Sequence, residues 1–343
     1  MPALNFFGRK KQRTRISVFG KTDVGCTRDH NEDCFLVADL TAKKASLLPE
    51  VREHEVGRKG SLLIVADGMG GAAAGEVASE MGTETVFEHL LATWLVDEED
   101  TPQQFAFRLR ESVEEANRKI HAHAKANPEM RGMGTTMTAA GVLGDRIYVT
   151  QVGDSRAYLV REGEATQITK DQSLMQRLVD AGELTEEEAE RSERKNIILQ
   201  ALGPDARIRV DLTHQAICQG DAVLLCSDGL SGLVNKDEIA KAVSQDKDLV
   251  QVSADLIALA NERGGPDNIT VVVARFSGNG LAEPGDGEEV GHEVYPLTDT
   301  ESTTEPVPVY KGSDPPKPQG SAMIAAGAAA AAIVAAALVL AVL

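Results

Sequence analysis

Four aspartates in this chain stand where short apolar, β-branched runs stop. Asp67 follows Leu62-Leu63-Ile64-Val65-Ala66, Asp154 follows Ile147-Tyr148-Val149-Thr150-Gln151-Val152-Gly153, Asp228 follows Val223-Leu224-Leu225-Cys226-Ser227, and Asp267 stands just ahead of Ile269-Thr270-Val271-Val272-Val273. Runs of this length and composition read as buried strands. Carboxylates collected at the ends of neighbouring strands repel one another and lose hydration, so a fold that gathers them needs cations between them. Hard oxygen donors at that density select Mg²⁺ or Mn²⁺. One aspartate at a strand end reads as a turn former or a helix cap. Four in the same context, with a further acidic cluster upstream, read as a metal site.

The upstream cluster is Lys21-Thr22-Asp23-Val24-Gly25-Cys26-Thr27-Arg28-Asp29-His30-Asn31-Glu32-Asp33. Asp23-x-Gly25-x-x-Arg28-x-x-Asn31-Glu32-Asp33, Asp67-Gly68-Met69-Gly70-Gly71, Gly134-Thr135-Thr136, Gly153-Asp154-Ser155-Arg156, Ser227-Asp228-Gly229 and Asp267-Asn268 resemble, in order and spacing, the motifs of metal-dependent type 2C serine/threonine protein phosphatases. Each tripeptide alone is weak, but six in series across residues 16 to 276 are specific. Met69 and the following Gly75-Glu76-Val77-Ala78-Ser79 are most similar to the bacterial branch.

The resemblance implies an α+β fold, a four-layer α-β-β-α sandwich of two antiparallel sheets flanked by helices, with the metals at one end. It implies two Mg²⁺ or Mn²⁺ ions whose bridging water attacks the phosphorus directly, without a covalent intermediate. In that scheme Asp67 bridges the pair, Glu32 and the Gly68 carbonyl hold one ion mostly through water, and Asp228 and Asp267 hold the other. Asp33 supports the shell, and Asp154 with Asp228 matches the position of a third, weaker metal. Arg28 is the implied phosphate clamp, because a guanidinium offers forked donors to two phosphoryl oxygens. Its competing reading is an ion pair with Asp29 or Glu32. Many eukaryotic relatives carry His where Met69 stands, and a thioether cannot donate a proton to the leaving group. A metal-bound water or His30 is then the acid. Thr135, Thr136, Ser155 and Arg156 read as scaffold, since hydroxyls beside glycine more often satisfy backbone groups than react.

Composition narrows the partners. The 343 residues carry a formal net charge of -18, which argues against nucleic acid. Cys26, Cys34, Cys218 and Cys226 form no CxxC pair and suit a reducing compartment. The start of the chain is basic, with Arg9, Lys10, Lys11, Arg13 and Arg15, but no apolar run long enough for a secretory signal follows.

Along the chain, residues 1–15 read as a basic segment and 16–276 as the catalytic domain. Helices are expected from about Gly75 to Leu95, from Thr101-Pro102 toward Pro128, and from Asn235. A charged, mostly helical insertion at about 170–202, with Thr185-Glu186-Glu187-Glu188 as a capping box, matches the flap of bacterial members. Residues 277–320 hold seven of the thirteen prolines and nine acids against two lysines, so they read as a disordered, extended linker. Residues 321–343 follow, and Ala322 to Leu343 holds no charge. At ~1.5 Å per residue it spans about 33 Å, enough for a single transmembrane helix, with interfacial or protein packing as the other reading.

The expectation is therefore a monomeric, membrane-tethered phosphatase, single-pass in the cell (inner) membrane with its catalytic domain cytoplasmic. Its partners are phosphorylated proteins, serine/threonine kinases and their substrates among them. The alternatives are a non-catalytic phosphoprotein-binding module of the same fold, and a phosphatase acting on a sigma-factor-type regulator. The first should have lost a bridging carboxylate, and none is missing.

Overall fold

The computed structural model describes residues 13–70, 74–192, 194, 196–285 and 289–297. In chain order the elements are β1 (Arg15–Asp23), β2 (Asp33–Asp39), β3 (Lys44–Ser46), β4 (Arg52–Glu55), β5 (Ser61–Met69), α1 (Ala74–Ala92), α2 (Pro102–Ala126), β6 (Gly134–Thr135), β7 (Met137–Leu143), β8 (Arg146–Val152), β9 (Arg156–Arg161), β10 (Glu164–Gln167), α3 (Leu174–Asp180), α4 (Glu186–Glu190), β11 (Asp211–Ala216), β12 (Ala222–Cys226), α5 (Asp228–Ser231), α6 (Lys236–Val243), α7 (Leu249–Glu262) and β13 (Ile269–Ser277). One sheet runs β10-β9-β12-β13-β1-β4 and the other β11-β8-β7-β5-β2-β3, with β6 paired to β5. Every ladder is antiparallel, as expected.

The apolar runs are continuous because the central strands are covered on both faces. In β5, Leu63 and Val65 enter the core between the sheets, while Leu62, Ile64 and Ala66 pack with Val86, Leu90, Phe105 and Leu109 of α1 and α2. In β13, Val272 and Ala274 face the inter-sheet core, and Val271 and Val273 join Ile239, Val252 and Leu256 of α6 and α7. Period-2 alternation therefore feeds two cores from one strand. Three apolar layers between four layers of structure make the α-β-β-α sandwich.

Helix starts obey their caps. The Thr101 side chain accepts from Gln104 N with Pro102 in the first turn, and reciprocal capping boxes open α4 at Thr185 and α6 at Asn235. The first helix ends at Ala92, short of Leu95, and Trp94 beyond it is buried with its indole N–H donated to Lys59 O at 2.8 Å.

Two boundary expectations need correction. Residues 277–320 are not wholly an extended linker, because Gly291 to Leu297 lie along the free edge of β11. His214 N donates to Glu293 O, Tyr295 N donates to Leu212 O, and the Gln215 side chain donates to Gly291 O. Tyr295 packs edge-on against Tyr148 and His214, and Leu297 joins the helix-side core. Composition hid this, since two apolar side chains in a Pro/Gly-rich acidic stretch leave no periodicity. At the other end, Arg15 opens β1 opposite Glu55, and Arg13 is ion-paired to Glu55 at 2.7 Å, so both belong to the sheet edge rather than to a separate basic segment. Among the described residues no helix is long and apolar enough to cross a membrane, and the expected helix at 321–343 lies outside them.

Phe105 is fully buried, with ring centroids 5.1 Å from Trp94 and 5.7 Å from Tyr148. Phe105→Ala is expected to lower unfolding free energy by about 3–5 kcal/mol, measured by urea denaturation. Native-state hydrogen exchange should show the Tyr295 and His214 amides protected, as a disordered linker would not be.

Candidate metal centre

The acids converge on one end of the sandwich. Asp33 opens β2 and pairs directly with Asp67 in β5. Opposed residues of an antiparallel ladder point to the same face with Cβ atoms about 4.5–5.5 Å apart, where like charges destabilise. Glu32 immediately precedes β2, Asp228 is the first residue of α5, Asp154 sits in the turn between β8 and β9, and Asp267 lies two residues ahead of β13.

Backbone close packing brings these segments together. A Cβ on Gly75 would lie 2.5 Å from Glu32 Oε1, and one on Gly25, whose φ is +77°, would lie 2.1 Å from Asp267 O. Only glycine fits either place. Gly68 N donates to Glu32 O at 3.1 Å, which joins the Gly-rich motif to the acidic loop.

A polar lattice holds the carboxylates against their repulsion. Asp33 Oδ2 accepts from Ser227 Oγ and Thr270 Oγ1, each at 2.7 Å, and Thr270 Oγ1 in turn lies 2.7 Å from the Thr22 hydroxyl, which accepts from the Asn31 side chain. Asn268 is the clasp of the loop: its side chain donates to Val24 O and His30 O and accepts from Glu32 N at 2.8 Å. These residues were not singled out from sequence, although Asn31 and Asn268 stand inside the motifs. An asparagine beside a motif aspartate was the available signal. Thr135 Oγ1 donates to Asp67 O, and Thr136 Oγ1 accepts from Asp67 N while sharing a bond with Ser155 Oγ. Arg156 is bound to Asp171 and Tyr158. All four therefore have the scaffold contacts expected of them.

The carboxylates act on one another's proton affinity. Burial first, then the charges of Asp33, Asp228, Asp154 and Asp267, holds the Asp67 carboxyl well above its ordinary range. Asp33 is raised by burial and by Asp228 and Asp267, against the Thr270 and Ser227 hydrogen bonds. Asp154 is raised by burial and then by Asp228 and Asp171.

Cations fit this donor set. Glu32 Oε1, Asp33 Oδ1 and Asp154 Oδ1 are buried acceptors with no hydrogen-bond partner among the described residues. Such atoms are costly unless something positive meets them. Among the described residues no three His, Cys, Asp or Glu side chains close on one point as a ready cage. Mg²⁺ is a small ion that is held by one or two carboxylates and keeps several of its waters, so it does not require such a cage.

Arg28 stands at the rim, 46% exposed, with Nη2 2.8 Å from Asp267 Oδ2. The pairing is with Asp267, not with Asp29 or Glu32. That hydrogen bond, and the charges of Asp267, Glu32 and Asp67, raise its already high pKa. His30 is exposed and contributes its backbone carbonyl to Asn268. The expected flap is α3 and α4 with an extended return: Ser173 bridges Ile198, and Leu202 bridges Thr135, so the return ends beside the residues that bind the Asp67 backbone.

Residues 51–270 match the protein phosphatase 2C family. The chain belongs to that family. Similar members are bacterial. It is 35% identical over 253 residues to the serine/threonine phosphatase stp of Listeria monocytogenes, covering 74% of this chain and 93% of that one. It is 42% identical over 213 residues to the serine/threonine protein phosphatase PstP of Mycobacterium tuberculosis, covering 62% of this chain. The match spans 40% of the mycobacterial protein's length. The catalytic domain of PstP solved in complex with two manganese ions superposes with a TM-score of 0.61 at 36% identity, over 77% of this chain and 99% of that one.

Metal-free protein in which Asp33, Asp67 and Asp154 have raised pKa values binds more protons folded than unfolded. Their contribution is present below the unfolded value of ~4 and is lost as pH rises through the raised folded values. Calorimetry without metal should show Tm falling on that side of pH 4, and Mn²⁺ should restore it at neutral pH. Asn268→Ala, which strands the buried Glu32 N–H, is expected to cost about 1–3 kcal/mol and to weaken Mn²⁺ binding in titration calorimetry.

Proposed function

We propose that this chain hydrolyses phosphoserine and phosphothreonine esters on proteins, using two divalent cations, Mg²⁺ or Mn²⁺. The observation that carries this reading is the opposed pair Asp33 and Asp67 among Glu32, Asp154, Asp228 and Asp267, with buried carboxylate oxygens that lack hydrogen-bond partners. Membership in a metal-dependent family, and relatives named as serine/threonine phosphatases, support it.

In this reading Asp67, Glu32 and the Gly68 carbonyl hold one ion and Asp67, Asp228 and Asp267 the other, with Asp33 in support. Asp154 and Asp228 offer a third, weaker position. Bound there, the ions supply a water made acidic enough to act as nucleophile near neutral pH, and they offset charge on the phosphoryl group. The chain's own task is positioning. Ser227 and Thr270 fix one oxygen of Asp33 so that the other is presented, and Thr135 and Thr136 fix the Asp67 backbone. Arg28 has one nitrogen on Asp267, which leaves its remaining donors for the ester's oxygens and retains its charge at every relevant pH. Ser155 is hydrogen-bonded to Thr136 and serves no covalent route.

The same reading places the enzyme on a membrane as a monomer, with residues 321–343 as a single span and the catalytic domain cytoplasmic. The uncharged Ala322 to Leu343 run supports the span, and four free cysteines support the reducing side. Membrane-associated kinases and their substrates are then the targets within reach of the tether.

Turnover of a phosphothreonine peptide should require Mn²⁺ or Mg²⁺ and exceed turnover of phosphotyrosine and small-ester controls. Asp67→Asn or Asp228→Asn is expected to bring metal-supported turnover down to background with circular dichroism unchanged. Retained activity in either variant refutes the site. Removing residues 321–343 should give a soluble active enzyme, and sedimentation of that form with membranes would mean the span is not the anchor.

A further inference from the structure

Gln172 stands at the foot of the flap, one residue before the bridge from Ser173 to Ile198 that pairs its two limbs. It is buried, and its side-chain amide is used at both ends. Gln172 Oε1 accepts from Gly153 N at 3.0 Å and from Gln200 Nε2 at 2.8 Å, and Gln172 Nε2 donates to Asp211 Oδ2 at 2.9 Å. Chemistry forces that orientation, since a backbone N–H only donates and an ionised carboxylate only accepts. The main chain adds two bonds: Gln172 N donates to Gly153 O at 2.8 Å, and Gln172 O accepts from Leu199 N at 2.8 Å. One residue therefore binds both polar backbone groups of Gly153 and, at Leu199 and Gln200, the returning limb of the flap.

What Gly153 does decides where Asp154 points. Asp154 Oδ1 is buried with no hydrogen-bond partner among the described residues, and the hydrogen bond acting on the carboxyl comes from its own backbone. Its aim is thus set by the turn between β8 and β9 rather than by a neighbouring side chain. That turn has little freedom, because Gly153 has a φ of +99° and a Cβ there would lie 2.7 Å from Thr136 Cγ2. Gln151 secures it from the β8 side, with Nε2 2.7 Å from Ser155 O and 3.1 Å from Gly153 O while its Oε1 accepts from Thr138. Gln172 secures it from the flap side. An amide whose acceptor is shared between Gly153 N and Gln200 Nε2 cannot follow the flap without disturbing the turn, because each bond it gives up leaves a buried polar group unpaired.

We infer that Gln172 is the positioning residue for Asp154: it sets that carboxylate for the weaker cation proposed there and ties the setting to the flap, so that flap and cation act on each other. The inference rests on the metal-dependent reading above and adds a neutral residue to it. Both ends of the flap reach this amide. Ser173, next in sequence, caps α3 by accepting from Gln176 N, so a movement of α3 is passed straight to Gln172. On the return, Gln200 Oε1 accepts from Arg209 N and Gln200 Nε2 donates to Arg209 O, which anchors that limb to the chain entering β11. The coupling runs both ways by necessity: a cation on Asp154 that favours one placement of the flap is itself favoured by that placement, and by the same factor.

Hydrogen exchange of the full chain, with and without Mn²⁺, tests this. The reporters are the amides of Leu174 and Leu199, which donate across the two limbs to Ile197 O and Gln172 O. Saturating Mn²⁺ is expected to slow both about fivefold or more, and Gln172→Ala and Asp154→Asn are each expected to remove most of that slowing with circular dichroism unchanged. Gln172→Asn, which keeps the amide but withdraws it by one methylene, gives the same readout where the alanine variant does not fold. A merely structural Gln172 would speed exchange equally with and without Mn²⁺ and leave the Mn²⁺ response intact, a result that overturns the inference. So does an unsubstituted chain whose flap amides ignore Mn²⁺, or a response that survives Asp154→Asn. Turnover is scored separately. Slowing by Mn²⁺ in a chain that leaves the phosphothreonine peptide intact sinks the phosphatase reading and keeps the positioning, and turnover without slowing does the reverse.

Discussion

Repulsion among buried carboxylates is the constraint around which this molecule is organised. Asp33 and Asp67 face each other across a ladder, with Asp154, Asp228 and Asp267 near enough to raise their proton affinity. A chain selected for stability alone would not assemble such a set. The fold tolerates it because rigid strands buried on both faces fix where the acids stand, and because cations can balance what the protein itself leaves uncompensated. Arg28 supplies part of that balance from the rim through Asp267.

Holding the acids in place falls to uncharged groups. Ser227 and Thr270 bind one oxygen of Asp33, Thr135 and Thr136 bind the Asp67 backbone, and Asn268 spans Val24, His30 and Glu32. The loop carrying Arg28 and Glu32 contains no regular structure between β1 and β2, so its shape depends on contacts of this kind, with Cys26 N on Gly265 O and the Asn31 side chain on Thr22 beside the Asn268 amide. Arg28 is held by Asp267 and the Glu32 backbone by the neighbouring Asn268, so both ends of the loop are positioned by the two residues just ahead of β13.

The site was legible in the sequence to the extent that its chemistry is acidic and its segments end strands. Asp67 and Asp228 could be read from apolar runs that stop, and the motif order supplied the remainder. Asn268, Ser227 and Thr270 were not legible, because neutral hydrogen-bonding residues have no signature until their partners, some 240 positions away for Asn268 and Glu32, are known. The layer order came from the resemblance and not from periodicity. A strand buried on both faces shows no alternation, so β5 and β13 announced burial but not which residue faced which core. The ion-pair partner of Arg28 was not legible, because Asp267 reaches it through the approach of the β13 loop rather than as a sequence neighbour such as Asp29 or Glu32.

The strap formed by Gly291 to Leu297 bears on where the sandwich can be cut. Family motifs end near residue 276, and a fragment cut there would bare the outer edge of β11 together with the Tyr148 and His214 rings that Tyr295 covers. Naked edges of that kind recruit other chains. These seven residues of a stretch that reads as a spacer thus act as a selvedge, finishing a sheet that would otherwise unravel into intermolecular pairing.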